Sequence, residues 1–241
     1  MLAFFGEHLQ YKLRVLIMTD NVYGLHNTDL GEAIEGADPA QTSSFLKRGL
    51  DLFGSTFGLI FLAPLFAVLA IAIKTTSKGP VLFRQDRHGL DGKTFIAYKF
   101  RSMYVDQCDH SGVIQTVKND PRITPIGRFL RRSNFDELPQ LLNVLKGEMS
   151  LVGPRPHVPG MLANGVPYEQ FDPRYQSRHR VKPGITGLAQ VEGFRGETKT
   201  AHAASMRLYY DLKYIEVRSV VLDVKIIMRT VIQEFFRGKG Y

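Results

Sequence analysis

Residues 133–156, SNFDELPQLLNVLKGEMSLVGPRP, join two adjacent acids to an apolar helical pattern and close on an arginine inside a Gly-Pro-Arg-Pro turn. Leu138, Leu141, Leu142 and Leu145 recur at helical spacing, which predicts one helix over about 134–146 with Gly147 as its stop. Pro139 is tolerated only in the first turn of such a helix. Asp136 and Glu137 then lie at the helix N-terminus, where unpaired N–H groups and the positive dipole end favour anions. Two readings are open: both acids are ordinary first-turn residues with Ser133 or Asn134 as cap, or they do chemistry. The surrounding cations, Arg128, Arg131 and Arg132 upstream and Arg155 downstream, exceed what two acids need. Surplus arginine around two carboxylates suits a phosphate ester, one carboxylate attacking and the other holding a metal.

Charge is unevenly spread along the 241 residues, whose net charge is +8. Residues 1–46 carry two basic and six acidic side chains, net −4, leaving +12 for the remainder. The basic part suits anionic partners such as lipid headgroups or a nucleotide diphosphate. Nucleic acid is disfavoured, because no recognised motif and no basic run interleaved with aromatics is present. The single cysteine, Cys108, excludes an internal disulfide and a Cys-rich metal site and fits a reducing cytoplasm. Asp106, Asp109 and His110 fall in a polar loop without metal-ligand spacing.

Residues 52–73 are 22 positions without a charge, bracketed by Lys47, Arg48 and Asp51 before and Lys74 and Lys78 after. Thirteen are Leu, Ile, Val or Phe, which favours bilayer insertion by about −4 to −8 kcal/mol. Pro64, mid-segment, removes a helical hydrogen bond and predicts a kink. Each arm of about ten residues rises about 15 Å, half the apolar core, so a sharp bend returns both ends to one face. Basic residues at both ends point the same way; the alternative is a kinked transmembrane helix with its N-terminus outside.

Residues 136–140 (DELPQ), 143–150 (NVLKGEMS) and 152–156 (VGPRP) strongly resemble the bacterial sugar transferases known as monotopic phosphoglycosyl transferases, and the resemblance extends over roughly residues 45–236. It implies transfer of a sugar 1-phosphate from a UDP-sugar to polyprenyl (undecaprenyl) phosphate with release of UMP, priming exopolysaccharide or other glycoconjugate synthesis. Asp136 would be the nucleophile, forming a phosphosugar ester, and Glu137 would hold Mg²⁺. Tyr98–Met103 (YKFRSM) resembles a signature whose lysine, here Lys99, faces the active site. Arg131 matches a family arginine five residues before the catalytic aspartate, Arg155 would clamp phosphate, and the 222–226 segment resembles one whose aspartate, here Asp223, lies at the site. The family's proline-broken re-entrant anchor commonly has serine before the proline; Ala63 stands there instead.

The rest of the chain completes the expectation. Leu9, Leu13, Leu16 and Ile17 suggest a short amphipathic helix, and residues 27–44 a flexible linker. Strands are expected at 81–85 and 94–100 around a Gly89-Asp91-Gly92 turn. Thr124-Pro125 reads as a helix cap with Ile126, Phe129 and Leu130 on the buried side. Tyr168, Phe171 and Tyr175 are available to a membrane interface. The 178–191 loop can bring backbone N–H groups to a phosphate, and His179 within it reads as a phosphate or structural contact before a general base. Apolar stripes at Leu208, Leu212 and Ile215 and again over 220–232 mark two helices broken near Arg218 and Ser219.

The expected fold is mainly α with a small β-hairpin, in three parts: an N-terminal extension and linker (1–46), a re-entrant anchor broken at Pro64 (47–78) and a cytoplasmic catalytic domain (79–241) on the bacterial inner membrane. Expected partners are a UDP-sugar, polyprenyl phosphate and membrane lipids, with a homo-oligomer left open. A second reading is a membrane-docked anion-binding or scaffolding module without catalysis.

Overall fold

The computed structural model describes residues 44–109, 116 and 120–237. The helix expected around residues 9–17, residues 27–43 of the expected 27–44 linker and His110 lie outside the described residues, while Ser44, expected to end that linker, begins a helix. The described residues fall within one compact unit that includes both the expected anchor and the expected catalytic part.

The chain enters through α1 (Ser44–Phe61) and α2 (Ala63–Thr76), bent by 59° at Leu62. Pro64 lies in the first turn of α2, where its missing N–H costs nothing, so the break falls two residues before the proline. No single described helix is long and apolar enough to cross a membrane, whereas this bent pair is by length and composition. Both outer ends of the pair pack on the same body. At the start of α1, Lys47 donates to Asp223 Oδ2 (2.6 Å) and Arg48 to the carbonyls of Val144 (2.7 Å) and Leu145 (2.9 Å). At the end of α2, Leu69 and Ile73 join Phe100 and Leu130 in an apolar core. Exposed apolar side chains run along the pair, Phe53, Phe57, Ile60, Phe61, Val68 and Ile71 in its middle and Phe45 and Leu46 at its start. Lys47 and Arg48, expected as flanking membrane charges, are instead docking contacts.

A hairpin follows directly: β1 (Leu82–His88) pairs antiparallel with β2 (Thr94–Phe100), Phe83 opposite Lys99. The turn between them puts Asp91 at φ 55° and Gly92 at φ 73°. Next, α3 (Pro125–Arg132) is capped by Thr124 Oγ1, which accepts from the Gly127 N–H at 3.0 Å. Leu130 is fully buried, but Phe129, expected on the same side, is half exposed and meets Phe135 edge-on. Gly127 cannot carry a side chain, since a Cβ there would lie 1.9 Å from the Ser102 carbonyl oxygen.

The helix expected over 134–146 is two pieces. A 3₁₀ run, Phe135–Gln140, leads into α4 (Leu141–Lys146), ended by Gly147 at φ 85°. Pro139 explains the split, because its ring clashes with the carbonyl four residues back and its nitrogen cannot donate. Arg48 reaches the carbonyls of Val144 and Leu145 in the last α4 turn, the former also accepting from the Gly147 N–H at 3.0 Å. Asn143, fully buried, docks α4 on β2 as a strand would: it accepts from the Tyr98 N–H (3.0 Å) and donates to the Ile96 carbonyl (2.7 Å).

Beyond α4, β3 (Ser150–Val152) runs parallel to β6 (Gly184–Thr186), and between them lie the small β4 (Leu162–Ala163) and β5 (Val166–Pro167) pair, α5 (Tyr168–Phe171) and a 3₁₀ run, Pro173–Arg180. Then come α6 (Leu188–Val191), α7 (Ala201–Val217) and α8 (Val220–Arg237). Tyr168 and Tyr175, expected at a membrane interface, are instead core residues stacked at 5.0 Å among Ala163, Ala204 and Leu208. The α8 stripe divides differently from expectation: Leu222, Asp223 and Ile226 face inward, while Val221, Val224, Met228, Val231 and Ile232 are exposed.

Candidate active site

Three local devices bring Asp136 to a cavity wall, with Glu137 buried beside it. Asn134 adopts the left-handed conformation (φ 56°) and turns the chain sharply after α3. The tight 3₁₀ run then presents both acids in its first turn, and Phe135 packs into the Leu130 cluster. Asn143 fixes β2 against this turn, which sets Lys99 opposite Glu137.

Glu137 is buried and saturated. Its Oε1 accepts from Lys99 Nζ (2.8 Å) and Arg155 Nη2 (2.5 Å), its Oε2 from Arg155 Nη1 (2.8 Å) and Arg195 Nη2 (3.1 Å). Four donors fill the roughly four lone-pair sites of a carboxylate. Burial alone would raise its pKa, but Arg155, Lys99 and Arg195 outweigh that and hold it well below the ordinary range. Asp136 is the opposite case. It lines the cavity, and among the described residues no hydrogen bond or ion pair reaches its carboxylate. Burial, and then the adjacent Glu137 charge, push its pKa up to about 6. Burial pulls Lys99 down to about 8 against the attraction of Glu137.

The cavity encloses about 670 Å³. Its lining combines the cations Arg84, Arg87, Lys99, Arg101, Arg122 and Arg131 with the apolar side chains Leu82, Phe83, Phe100, Met103 and Val105. Arg131 is held by Thr116 Oγ1 (2.7 Å) and Ser102 Oγ (3.4 Å). Arg87 donates to the Pro156 carbonyl at 2.9 Å and to Gln85, and its buried Nε has no hydrogen-bond partner among the described residues. Burial and the nearby Arg155 lower its pKa to about 10. Such a lining suits a polyanion that carries an apolar tail.

The description of the bacterial sugar transferase family matches residues 42–237. The chain belongs to that family. Over 196 residues it is 55% identical to the exopolysaccharide production protein PSS of Rhizobium leguminosarum bv. phaseoli, covering 81% of this chain and 98% of that protein. It is 47% identical over 196 residues to the UDP-glucose:undecaprenyl-phosphate glucose-1-phosphate transferase of Escherichia coli (strain K12), covering 81% of this chain and 41% of the relative. With the UDP-N-acetylgalactosamine-undecaprenyl-phosphate N-acetylgalactosaminephosphotransferase of Aeromonas hydrophila it shares 38% over 210 residues, 86% of this chain and 47% of that one. This sugar transferase therefore spans nearly all of the first relative and less than half of the other two.

Lys99, Arg131 and Asp136 of the transferase line one cavity; Glu137 and Arg155 do not line it and join the group through the Lys99–Glu137 and Arg155–Glu137 ion pairs. Asp223 is not brought there. It is buried between Lys47 (2.6 Å) and the Tyr214 hydroxyl (2.8 Å), where burial raises its pKa against Lys47. The glycine-rich 178–191 loop is also occupied. The Gly184 N–H donates to the Pro154 carbonyl and the Gly153 N–H to the Thr186 carbonyl, both at 2.9 Å, so these groups join two loops and face no ligand. A Cβ on Gly184 would lie 2.1 Å from Gly153 N, which explains the glycine by close backbone approach. His179 packs on Tyr175 and His88 with its pKa lowered by burial to about 4. Sequence reading missed Arg87, Arg195 and Glu234 at the site. Only the glycines flanking Arg195, Gly193 and Gly196, hinted at a displayed cation.

Proposed function

We propose that this sugar transferase moves a sugar 1-phosphate from a UDP-sugar to undecaprenyl phosphate, releasing UMP and priming exopolysaccharide assembly. The observation that carries this reading is the contrast inside the dyad: among the described residues Asp136 lines the cavity without a hydrogen-bond or ion-pair partner, while its neighbour Glu137 gathers three cations. A carboxylate oxygen of Asp136 attacks the sugar-bearing phosphorus, the bond to the bridging oxygen breaks, and UMP leaves with that oxygen. An oxygen of the lipid phosphate then attacks the phosphosugar ester, giving the lipid diphosphate sugar and restoring the carboxylate. An anion approaching a diphosphate needs its repulsion cancelled, and Lys99, Arg131 and Arg155 are placed to do so. UDP-glucose is the first donor to try, given the relatives' names.

Mg²⁺ fits this site in one form only. Among the described residues no three His, Cys, Asp or Glu side chains cluster, so a shared site made with substrate phosphates suits the donor set and an all-protein cage does not. Glu137 would hold the ion once one of its four donors withdraws. When bound, the ion would neutralise charge on the transferring phosphoryl group.

The bent α1–α2 pair supports a re-entrant anchor. Both outer ends contact the same body, which a helix with ends on opposite bilayer faces could not do. Apolar arms of about 15 and 17 Å meeting at the observed bend reach roughly 8 Å deep, less than the ~15 Å of one leaflet. The catalytic part then lies on the cytoplasmic face, where a soluble donor meets a lipid acceptor.

UMP release tests the reading, using the full chain, Mg²⁺, undecaprenyl phosphate and a panel of UDP-sugars. Acceptor-dependent UMP is expected from at least one donor. None from any donor would favour the scaffolding module.

A further inference from the structure

Arg195 sits in the turn between α6 and α7, and that turn is built to hold its backbone still. Gly193 takes φ 92°. The carbonyls on either side, Phe194 (2.9 Å) and Gly196, both accept from the buried Arg207 guanidinium. The Phe194 N–H donates to the Ala189 carbonyl at 2.9 Å, and its ring stacks on Tyr210 at 5.5 Å. What remains adjustable is the Arg195 side chain. Its Nη1 donates to Glu234 Oε1 at 2.7 Å and its Nη2 to Glu137 Oε2 at 3.1 Å. Glu234, on α8, has its other oxygen occupied by Asn134 Nδ2 at 2.7 Å. Asn134 is the left-handed residue two positions before Asp136, so Glu234 ties α8 to the dyad from both sides.

The Arg195 bond is the longest of the four on Glu137, and its side chain is the most exposed of the three cations, 27% against 23% for Arg155 and 16% for Lys99. It is the donor most easily given up. A guanidinium fork matches phosphate oxygens as well as carboxylate ones, and a diphosphate beside Asp136 competes for it. We propose that Arg195 is a further ligand of the donor diphosphate: Glu234 keeps Nη1 in place while Nη2 passes from Glu137 to a phosphate oxygen. The inference rests on the reading that a UDP-sugar binds beside Asp136. Glu234 acts through Arg195 and is a positioning residue.

The test compares the full chain with Arg195→Ala, Arg195→Lys, Glu234→Gln and the Arg195→Ala/Glu234→Gln pair. Three readouts are needed: UMP release, equilibrium binding of UDP as the part common to all donors, and melting temperature. Arg195→Ala is expected to weaken UDP binding and lower kcat/KM by about 10- to 100-fold, with Arg195→Lys recovering only part because lysine lacks the fork. Glu234→Gln should cost about 3- to 10-fold alone and nothing further once Arg195 is gone, the signature of two groups acting as a unit. A purely structural tie would lower the melting temperature and leave UDP binding of the folded fraction unchanged. The clamp is overturned if Arg195→Ala keeps UDP affinity and kcat/KM within twofold, or if Glu234→Gln costs as much without Arg195 as with it. Should Arg195→Ala fail to fold, Arg195→Lys and Glu234→Gln carry the same comparison. Arg195-dependent UDP binding without turnover on any donor would overturn the transferase reading and leave the clamp standing.

Discussion

Two acidic clusters in this molecule hold cations at the same kind of distance and have opposite prospects. Asp223 takes Lys47 on one oxygen and the Tyr214 hydroxyl on the other, and the Tyr214 hydroxyl and Lys47 also both reach the Val152 carbonyl. That cluster is closed, and it locks α1 to α8 and β3. Around Asp136 and Glu137 the bookkeeping stays open: three cations converge on one carboxylate while its neighbour, facing a cavity, receives none of them directly. A buried polar cluster whose members are all satisfied holds the fold together. One that leaves a carboxylate unpaired beside surplus positive charge is poised for an incoming anion.

The comparison breaks most readily at Asp136. Asp136→Asn keeps size and removes the nucleophile, so turnover should fall by about 10³-fold or more with an unchanged melting temperature. Comparable residual turnover would make the dyad a helix-start feature and nothing more. The closed cluster should show the reverse pattern. Asp223→Ala strands Lys47 and Tyr214 and should cost about 3–5 kcal/mol of unfolding free energy, while the folded fraction keeps its kcat. Denaturant unfolding with activity measured on the same sample reads both. Lost chemistry at full stability would return Asp223 to the active site.

A smaller effect sharpens the open cluster. Asp136 must be ionised to attack, and its pKa of about 6 means that activity rises with pH through that value. Lys99 must be charged to bind phosphate, and its pKa of about 8 means that activity falls above it. The profile of kcat/KM should therefore be a bell between about 6 and 8. A flat profile from 5 to 9 would contradict the assigned pair.

Much of this was legible in the residues themselves. Thr124-Pro125 announced the α3 cap, the alternating 94–100 run announced β2, and DELPQ set the dyad beside its arginines. Such signals are local, carried by spacing or by a residue with one conformational use. The less legible features depend on long-range pairing. Nothing near Lys47 indicates that its partner is Asp223, 176 residues away, and nothing near Arg195 indicates that Glu137 and Glu234 converge on it. A charge beside an apolar run reads equally as a lipid contact or a docking contact, and for Lys47 and Arg48 the body of the protein won. Tyr168 and Tyr175 misled for the same reason, since an amphipathic ring suits either a bilayer interface or a core with a polar neighbour. For Tyr175 that neighbour is the buried His157, 3.2 Å from its hydroxyl.

The covalent role of Asp136 is the central claim, and peptide mass spectrometry reaches it directly. Purified protein is mixed with Mg²⁺ and UDP-sugars, without lipid acceptor, and digested. The account predicts a gain of one phosphosugar on the peptide containing Asp136, absent from Asp136→Asn and discharged by undecaprenyl phosphate. A phosphosugar carried on any other residue, or full turnover in which Asp136 never acquires the mass, would contradict it.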